Sequence, residues 1–351
     1  MNISFFHLAD IHLDSPYHFL AKKRGLPLKR RDEVYSCFLD VLLKAKREEP
    51  NFIFICGDLY EHNYTPLKRI KEINGLFESI NSQIVLIAGN HDPLAKNSYY
   101  ASFDWASNVH ILGRHKSYVS FEEEKVRVYG IGYDTGGGQL EVLESFRIDP
   151  TYYNILLLHG DVDLSISTYN QVSSNKLEKI AFDYVALGHN HRMYKKDNVY
   201  NPGSLCALSF DQEGDHGYFK KNLEDQKAEF VKSDDRKFIN LTLSLEEIKE
   251  FEKQYPSTRD FYRITLKGLR DDKQEVPEFS HYDFVEIIDE TIEKKKEAYK
   301  NEAFGLKELF ENLIKNKLDS TNSEEKEILN RALDLGKRAL DKENLEELWK
   351  F

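Results

Sequence analysis

The chain has 351 residues, 40% of them hydrophobic and 13% aromatic, so it is long enough for two domains and too apolar for a disordered one. Its formal charge of -11 lacks the basic footprint of a nucleic-acid binder, although carboxylates that hold metal ions count as negative in such a tally. The three cysteines, Cys37, Cys56 and Cys206, include no Cys-x-x-Cys pair, which excludes a disulfide framework and suits a reducing cytoplasm. No apolar run reaches the roughly 18 residues a spanning helix needs, and residues 1–16 do not resemble a signal peptide. A cytoplasmic protein with no membrane association is expected.

In chain order, residues 3–9 read as a strand and 31–49 as a helix with Val34, Phe38, Val41, Leu42 and Ala45 on one face. Residues 52–56 form the next strand, 67–80 a helix, and 84–88 another strand, followed by apolar runs at 109–112, 126–131, 155–158 and 184–187. These runs are nearly continuous rather than alternating, as strands covered on both faces are, and the order predicts an α/β sandwich. After Gly217 come a strand over 238–243, a capping box from Ser244 to Glu247, and a strand over 261–266, together a small βαβ-like unit. From Tyr282 the chain reads as helical and highly charged, with Phe284, Ile288 and Ile292, then Leu306, Leu309, Phe310 and Leu313, at helical spacing. A second capping box, Thr321 to Glu324, opens a last helix with Ile328, Leu329, Ala332 and Leu333. The expected domains are 1–220, 221–280 and 281–351.

Nearly every strand of the first half ends in the same kind of residue. The first ends in Asp10-Ile11-His12, the second in Gly57-Asp58, and the third in Gly89-Asn90-His91-Asp92; later ones end in His159-Gly160-Asp161 and Gly188-His189-Asn190-His191. In α/β sheets ligands collect at the carboxyl ends of the strands, so segments far apart in sequence can converge there. A single Gly-Asp or strand-end His is usually a turn residue; five in this order, each after an apolar run, are not accidental. The set is imidazole, carboxylate and amide without thiolate, which favours Mn, Fe or Zn in a working site over a structural zinc knot. Asp10, His12, Asp58, Asn90, His159, His189 and His191 are too many ligands for one ion that must keep open positions. Two ions about 3.5–4 Å apart, sharing a carboxylate, are the natural solution, and Asp58 on its tight turn is the candidate for the shared ligand.

Asp-x-His, Gly-Asp, Gly-Asn-His, His and Gly-His-x-His in sequence resembles the calcineurin-like metallophosphoesterases. Residues 7–16 (HLADIHLDSP), Gly57-Asp58-Leu59-Tyr60 with Pro66, and Tyr200-Asn201-Pro202-Gly203-Ser204-Leu205 followed by Leu208-Ser209-Phe210 are similar to SbcD-type exonuclease subunits, especially their YhaO-like branch. The resemblance is clear to about residue 220, looser over the βαβ unit and weak after Tyr282. It implies a four-layer α-β-β-α sandwich with a small α+β capping domain and C-terminal helices. It also implies a Mn-dependent DNA nuclease (Mg, Fe or Zn being alternatives), exonuclease with endonuclease activity open, that acts in DNA repair with an SbcC-like or YhaN-like coiled-coil ATPase, with a homodimer as an open alternative. Carried over by position, Asp10, His12, Asp58 and His191 hold one ion, and Asp58, Asn90, His159 and His189 the other. His91, beside Asn90, resembles the family's catalytic histidine, acting at the scissile phosphate. Glu61 stands where archaeal relatives often carry a histidine.

Two other readings accompany this one: a phosphodiesterase or phosphatase for small nucleotides on the same metal core, and a DNA-end-binding scaffold with a vestigial site. The basic stretch containing Lys22, Lys23, Lys29 and Arg30 is expected either to contact DNA phosphates or to be a solvated loop leading into the first helix.

Overall fold

The computed structural model describes residues 3–135, 137–138, 140–163, 169–234, 236–270, 275–293, 305–319 and 323–340. Strands β1 (Ser4–Leu8), β2 (Phe52–Cys56), β3 (Gln83–Ile87) and β4 (Val109–Leu112) run parallel in one sheet. The second sheet holds β5 (Tyr118–Phe121), β6 (Val126–Ile131), β7 (Tyr153–His159), β8 (Tyr184–Gly188), β9 (Tyr194–Lys196) and β10 (Val199–Asn201), in the order β9-β10-β8-β7-β6-β5. The chain then returns to the first sheet with β11 (Gly217–Asn222) and β12 (Glu229–Lys232), completing the order β12-β11-β1-β2-β3-β4.

The period of two along each strand sorts side chains into three cores. Phe6, Leu8, Ile53, Ile55, Ile84 and Leu86 face helices α1 (Leu26–Glu48) and α2 (Leu67–Glu78), meeting Val34, Phe38, Leu42, Ile70 and Phe77. Their neighbours Phe5, Phe52, Phe54, Cys56 and Val85 point the other way, into the space between the sheets, against Val128, Ile155, Leu157 and Tyr184. Leu156, Leu158, Val185 and Leu187 cover the far face beneath Leu143, Phe146, Phe182 and Leu177 of helix α3 (Ser174–Ile180). These layers make the expected four-layer sandwich, and the two-sided covering explains why its strands read as unbroken apolar runs.

A smaller sheet of β13 (Phe238–Ser244), β14 (Phe261–Lys267) and β15 (Phe284–Asp289), all parallel, follows. Phe238, Phe261 and Phe284 join the core of the first sheet, while Ile264, Leu266, Ile248 and Phe251 form a core of their own. The Ser244 capping box is made: Ser244 N donates to Glu247 Oε2 at 2.7 Å, and Glu247 N donates to Ser244 Oγ at 3.2 Å. The third strand corrects the helical reading from Tyr282. Phe284 and Ile288 are four residues apart, an even spacing that places them on one face of a strand as well as of a helix. The β-branched Val285, Ile287 and Ile288 and the open edge of β14 decide for the strand. Helix α1 also begins five residues before its expected start, because Pro27 occupies its first turn after Gly25, at φ 79°, turns the chain.

The chain divides into two compact units, 1–268 with 276–290, and 269–275 with 291–351. The first contains both sheets of the sandwich and the small sheet. The second contains helices α4 (Leu306–Asp319) and α5 (Ser323–Leu340), which pack on each other. Gly336 admits the Phe310 ring so closely that a Cβ there would lie 2.3 Å from it. Leu309, Leu313, Ile328 and Leu335 remain exposed. Thr321 and Asn322 of the second capping box lie outside the described residues. Among the described residues no helix is long and apolar enough to cross a membrane.

Candidate metal centre

The carboxyl ends of β1, β2, β3, β7 and β8 bring the expected residues together. Asp10, His12 and Asp58 are buried and His191 half-buried, with ligand atoms within 4.8 Å of one another. Three of these, Asp10 (φ 48°), His12 (φ 50°) and Asp58 (φ 51°), have left-handed backbone, as does His189 (φ 96°). Such conformations are uncommon for residues other than glycine and cluster at functional sites. Here they persist because the turns brace each other: Ile11 N and His12 N both donate to Asp58 O at 2.9 Å, and His189 N donates to Asp10 Oδ2 at 2.9 Å.

Tautomers follow from what each ring faces. His12 Nδ1 lies 2.9 Å from Glu61 Oε1 and His159 Nδ1 2.8 Å from the Cys56 carbonyl, both acceptors only, so Nδ1 carries the proton in each. The unprotonated Nε2 of His12 is then turned toward His191 Nε2 at 3.1 Å and Asp58 Oδ2 at 3.5 Å. On the other side, His159 Nε2 lies 3.4 Å from the same Asp58 Oδ2 and 3.0 Å from Asn90 Oδ1, which is 3.1 Å from His189 Nδ1. Two groups of donor atoms therefore converge, and Asp58 Oδ2 faces both. Imidazole, carboxylate and amide donors gathered in this way would suit divalent ions. Glycine is required in the Asn90 turn: a Cβ on Gly89 would stand 2.1 Å from Asp58 Oδ1.

The electrostatics agree. Burial works against charge on Asp58, but the rings of His159, His12 and His91 outweigh it and hold the carboxyl well below its ordinary range. His159 is raised to about 9: burial opposes this, and the charge of Asp58 prevails. Burial pushes Asp10 up to about 6 and His191 down to about 3. A pocket of carboxylates that draws protons onto imidazoles is one that accepts cations.

Asp92 and Glu61, which the motifs alone do not assign to the site, both take part in it. Asp92 is buried and accepts from Leu59 N (2.7 Å), Gly89 N (2.6 Å), Asp58 N (3.1 Å), Tyr60 N (3.3 Å) and Tyr100 Oη (2.6 Å), so one carboxylate pins the Asp58 turn to the Asn90 turn. Burial, then the charge of Asp58, push it up to about 6. Its place directly after Asn90-His91 was the available signal. Gln212 lies against His191 Nδ1 and could not be found from sequence, being 21 residues away in no motif. A cavity of about 400 Å³ opens beside the second group of donors, lined by Asp161, His189, His191, Arg192, Asp211 and Gln212 among others.

The basic stretch is divided, Lys22 and Lys29 staying exposed and Arg30 being buried. Lys29 and Arg30 belong to α1, and Arg30 is 1% exposed, donating to Asp234 Oδ2 at 2.6 Å and to the Ala207 carbonyl at 2.7 Å. Arg30 is a buried structural cation, which removes it from a DNA-facing surface. Lys22 pairs with Glu286 at 3.3 Å and Lys29 with Asp283 at 2.7 Å, while Lys23 donates to the Tyr282 carbonyl. All three lysines thus tie the first helix region to the small sheet.

The fold and the two donor clusters define a metal-dependent phosphoester hydrolase. Residues 3–193 match the calcineurin-like phosphoesterases, and the chain belongs to that family. A curated relative, the uncharacterized metallophosphoesterase YhaO of Bacillus subtilis (strain 168), is 25% identical over 285 residues, covering 76% of this chain and 69% of its own. This similarity agrees with the YhaO-like motifs of the sequence. One solved crystal structure covers 66% of this chain and 100% of its own at 11% identity, with a TM-score of 0.40, and carries no argument.

Proposed function

We propose that the protein is a two-ion DNA nuclease that works with an SbcC-like coiled-coil ATPase in DNA repair. The observation that carries this reading is the single oxygen, Asp58 Oδ2, shared between two clusters of imidazole, carboxylate and amide donors. Asp10, His12, Asp58 and His191 would hold one ion and Asp58, Asn90, His159 and His189 the other, Mn being the ion that the SbcD resemblance favours. Divalent ions bound there supply activation of water and neutralisation of charge on the phosphoryl oxygens. The chain's own groups do the rest. Glu61 and the Cys56 carbonyl orient His12 and His159, and Asp92 fixes the two turns at a constant separation. His91, 45% exposed at the edge of the centre, is raised to about 9 chiefly by its hydrogen bond to Glu61, which favours the protonated ring. It can therefore stabilise the scissile phosphate or protonate the leaving oxygen.

The preference for DNA over small nucleotides rests on the YhaO-like segments and on the three-stranded parallel sheet that follows the sandwich, where the resemblance leads one to expect a capping domain. Comparing Mn-dependent hydrolysis of a labelled duplex, bis-(p-nitrophenyl) phosphate and mononucleotides tests it. Cleavage of the duplex supports the nuclease, and activity confined to mononucleotides supports the phosphodiesterase. DNA-end binding with no hydrolysis supports the scaffold. The ATPase is proposed to dock on helices α4 and α5, which expose Leu309, Leu313, Ile328 and Leu335. Because residues 284–289 complete the small sheet, the truncation that tests docking starts at Thr291 and leaves Tyr282 and β15 in place. Co-purification with the ATPase should be lost and hydrolysis of bis-(p-nitrophenyl) phosphate kept.

A further inference from the structure

Glu61 is the residue at which this chain departs from the archaeal pattern, and its carboxylate is used twice. Oε1 accepts from His12 Nδ1 at 2.9 Å and Oε2 accepts from His91 Nδ1 at 3.0 Å. The two rings stand edge to face with centroids 4.7 Å apart. The root of this fork is fixed: Glu61 N donates to the Leu13 carbonyl at 3.0 Å, and the Glu61 carbonyl accepts from Tyr64 N and Thr65 N at 3.0 and 2.9 Å. The residue is 9% exposed. Three donors within reach of one another could suggest a separate ion at His12, Glu61 and His91. Each carboxylate oxygen instead faces a separate ring nitrogen, Oε1 that of His12 and Oε2 that of His91, as one acceptor for each N–H does. An ion would also have to bind the His12 nitrogen opposite the one that faces Asp58.

We propose that Glu61 is a positioning residue that couples the first ion site to His91. One oxygen fixes the His12 tautomer, so that Nε2 presents its lone pair to the ion. The other holds the half-exposed His91 ring in a single orientation beside that ion. A carboxylate is needed for this, since it can accept from two N–H donors at once. Glutamine keeps the shape but offers one acceptor, leaving an NH2 against the second imidazole N–H. The inference rests on the roles given above to His12 and His91.

The test uses the full chain in four forms: wild type, E61A, H91A and the double variant, with E61Q as the isosteric companion. Mn binding is read by calorimetry, and kcat and KM on bis-(p-nitrophenyl) phosphate are read at saturating Mn. E61A is expected to weaken one Mn by about 10–100-fold, the usual effect of losing a partner that orients a ligand. At saturating Mn, kcat should also fall by about 10–100-fold with KM little changed. In the H91A background, E61A should still weaken Mn yet lower kcat no further, because the group it orients is gone. An equal kcat loss with and without His91, or unchanged Mn affinity in folded E61A, overturns the proposal. Should E61A not fold, E61Q decides by the same comparisons. A wild type that binds Mn but hydrolyses nothing refutes the functional reading, and the Mn affinity of E61A then decides the His12 arm by itself.

Discussion

Replacing Asp92 by asparagine removes one charge and changes almost no volume. Oδ2 accepts from Leu59 N, Tyr60 N and Tyr100 Oη, and Oδ1 from Asp58 N and Gly89 N. An amide can place its oxygen on one side only. With the oxygen toward Leu59, its NH2 confronts the N–H groups of Asp58 and Gly89, both buried. Each unsatisfied buried donor costs about 1–3 kcal/mol, so the variant should lose about 2–6 kcal/mol. That corresponds to a fall in melting temperature on the order of 10 °C for a unit of this size. Because the confronted groups lie on the Asp58 and Asn90 turns, Mn affinity should fall as well. Thermal melting of the metal-free protein and calorimetric titration with Mn measure the two effects. A D92N variant that melts within about 2 °C of wild type and binds Mn with unchanged affinity would refute the pinning role.

Several other substitutions and conditions discriminate between roles. H91A should keep both ions by calorimetry and lose about 10²–10⁴-fold in kcat, as removal of a general acid does; loss of an ion would make His91 a ligand. His159 has a folded-state value of about 9 against an ordinary 6.5, so its proton stabilises the metal-free fold fully below 6.5, and that contribution is lost as pH rises through 9. An ion must displace this proton, so Mn affinity should rise by about tenfold per pH unit between those limits. Calorimetry in buffers of different ionisation enthalpy should show proton release; no release at pH 7 contradicts the raised His159. R30M removes one partner of a buried pair and should cost about 3–5 kcal/mol in denaturant unfolding. A stable R30M with weakened, less salt-dependent DNA binding would instead return Arg30 to the surface.

The metal centre was legible because each ligand follows an apolar run directly, so strand register carries Asp10, Asp58, Asn90, His159 and His189 to one edge without any knowledge of the loops. The groups that orient those ligands were not. Glu61 works through His12, 49 residues earlier, and Gln212 lies against His191 across a connection with no periodic pattern. Arg30 was misread because a run of basic residues says nothing about burial; the Asp234 that neutralises it is 204 residues away. In β15, a spacing of four satisfies both periods, and the β-branched run with its pairing to β14 separates them.

Whether Asp58 bridges two ions is read from calorimetric titration of wild type and Asp58→Ala with Mn. Wild type should bind two ions per chain, and the variant should lose at least one ion together with hydrolysis of bis-(p-nitrophenyl) phosphate. Two ions bound with unchanged affinity by Asp58→Ala would rule out Asp58 as the bridge.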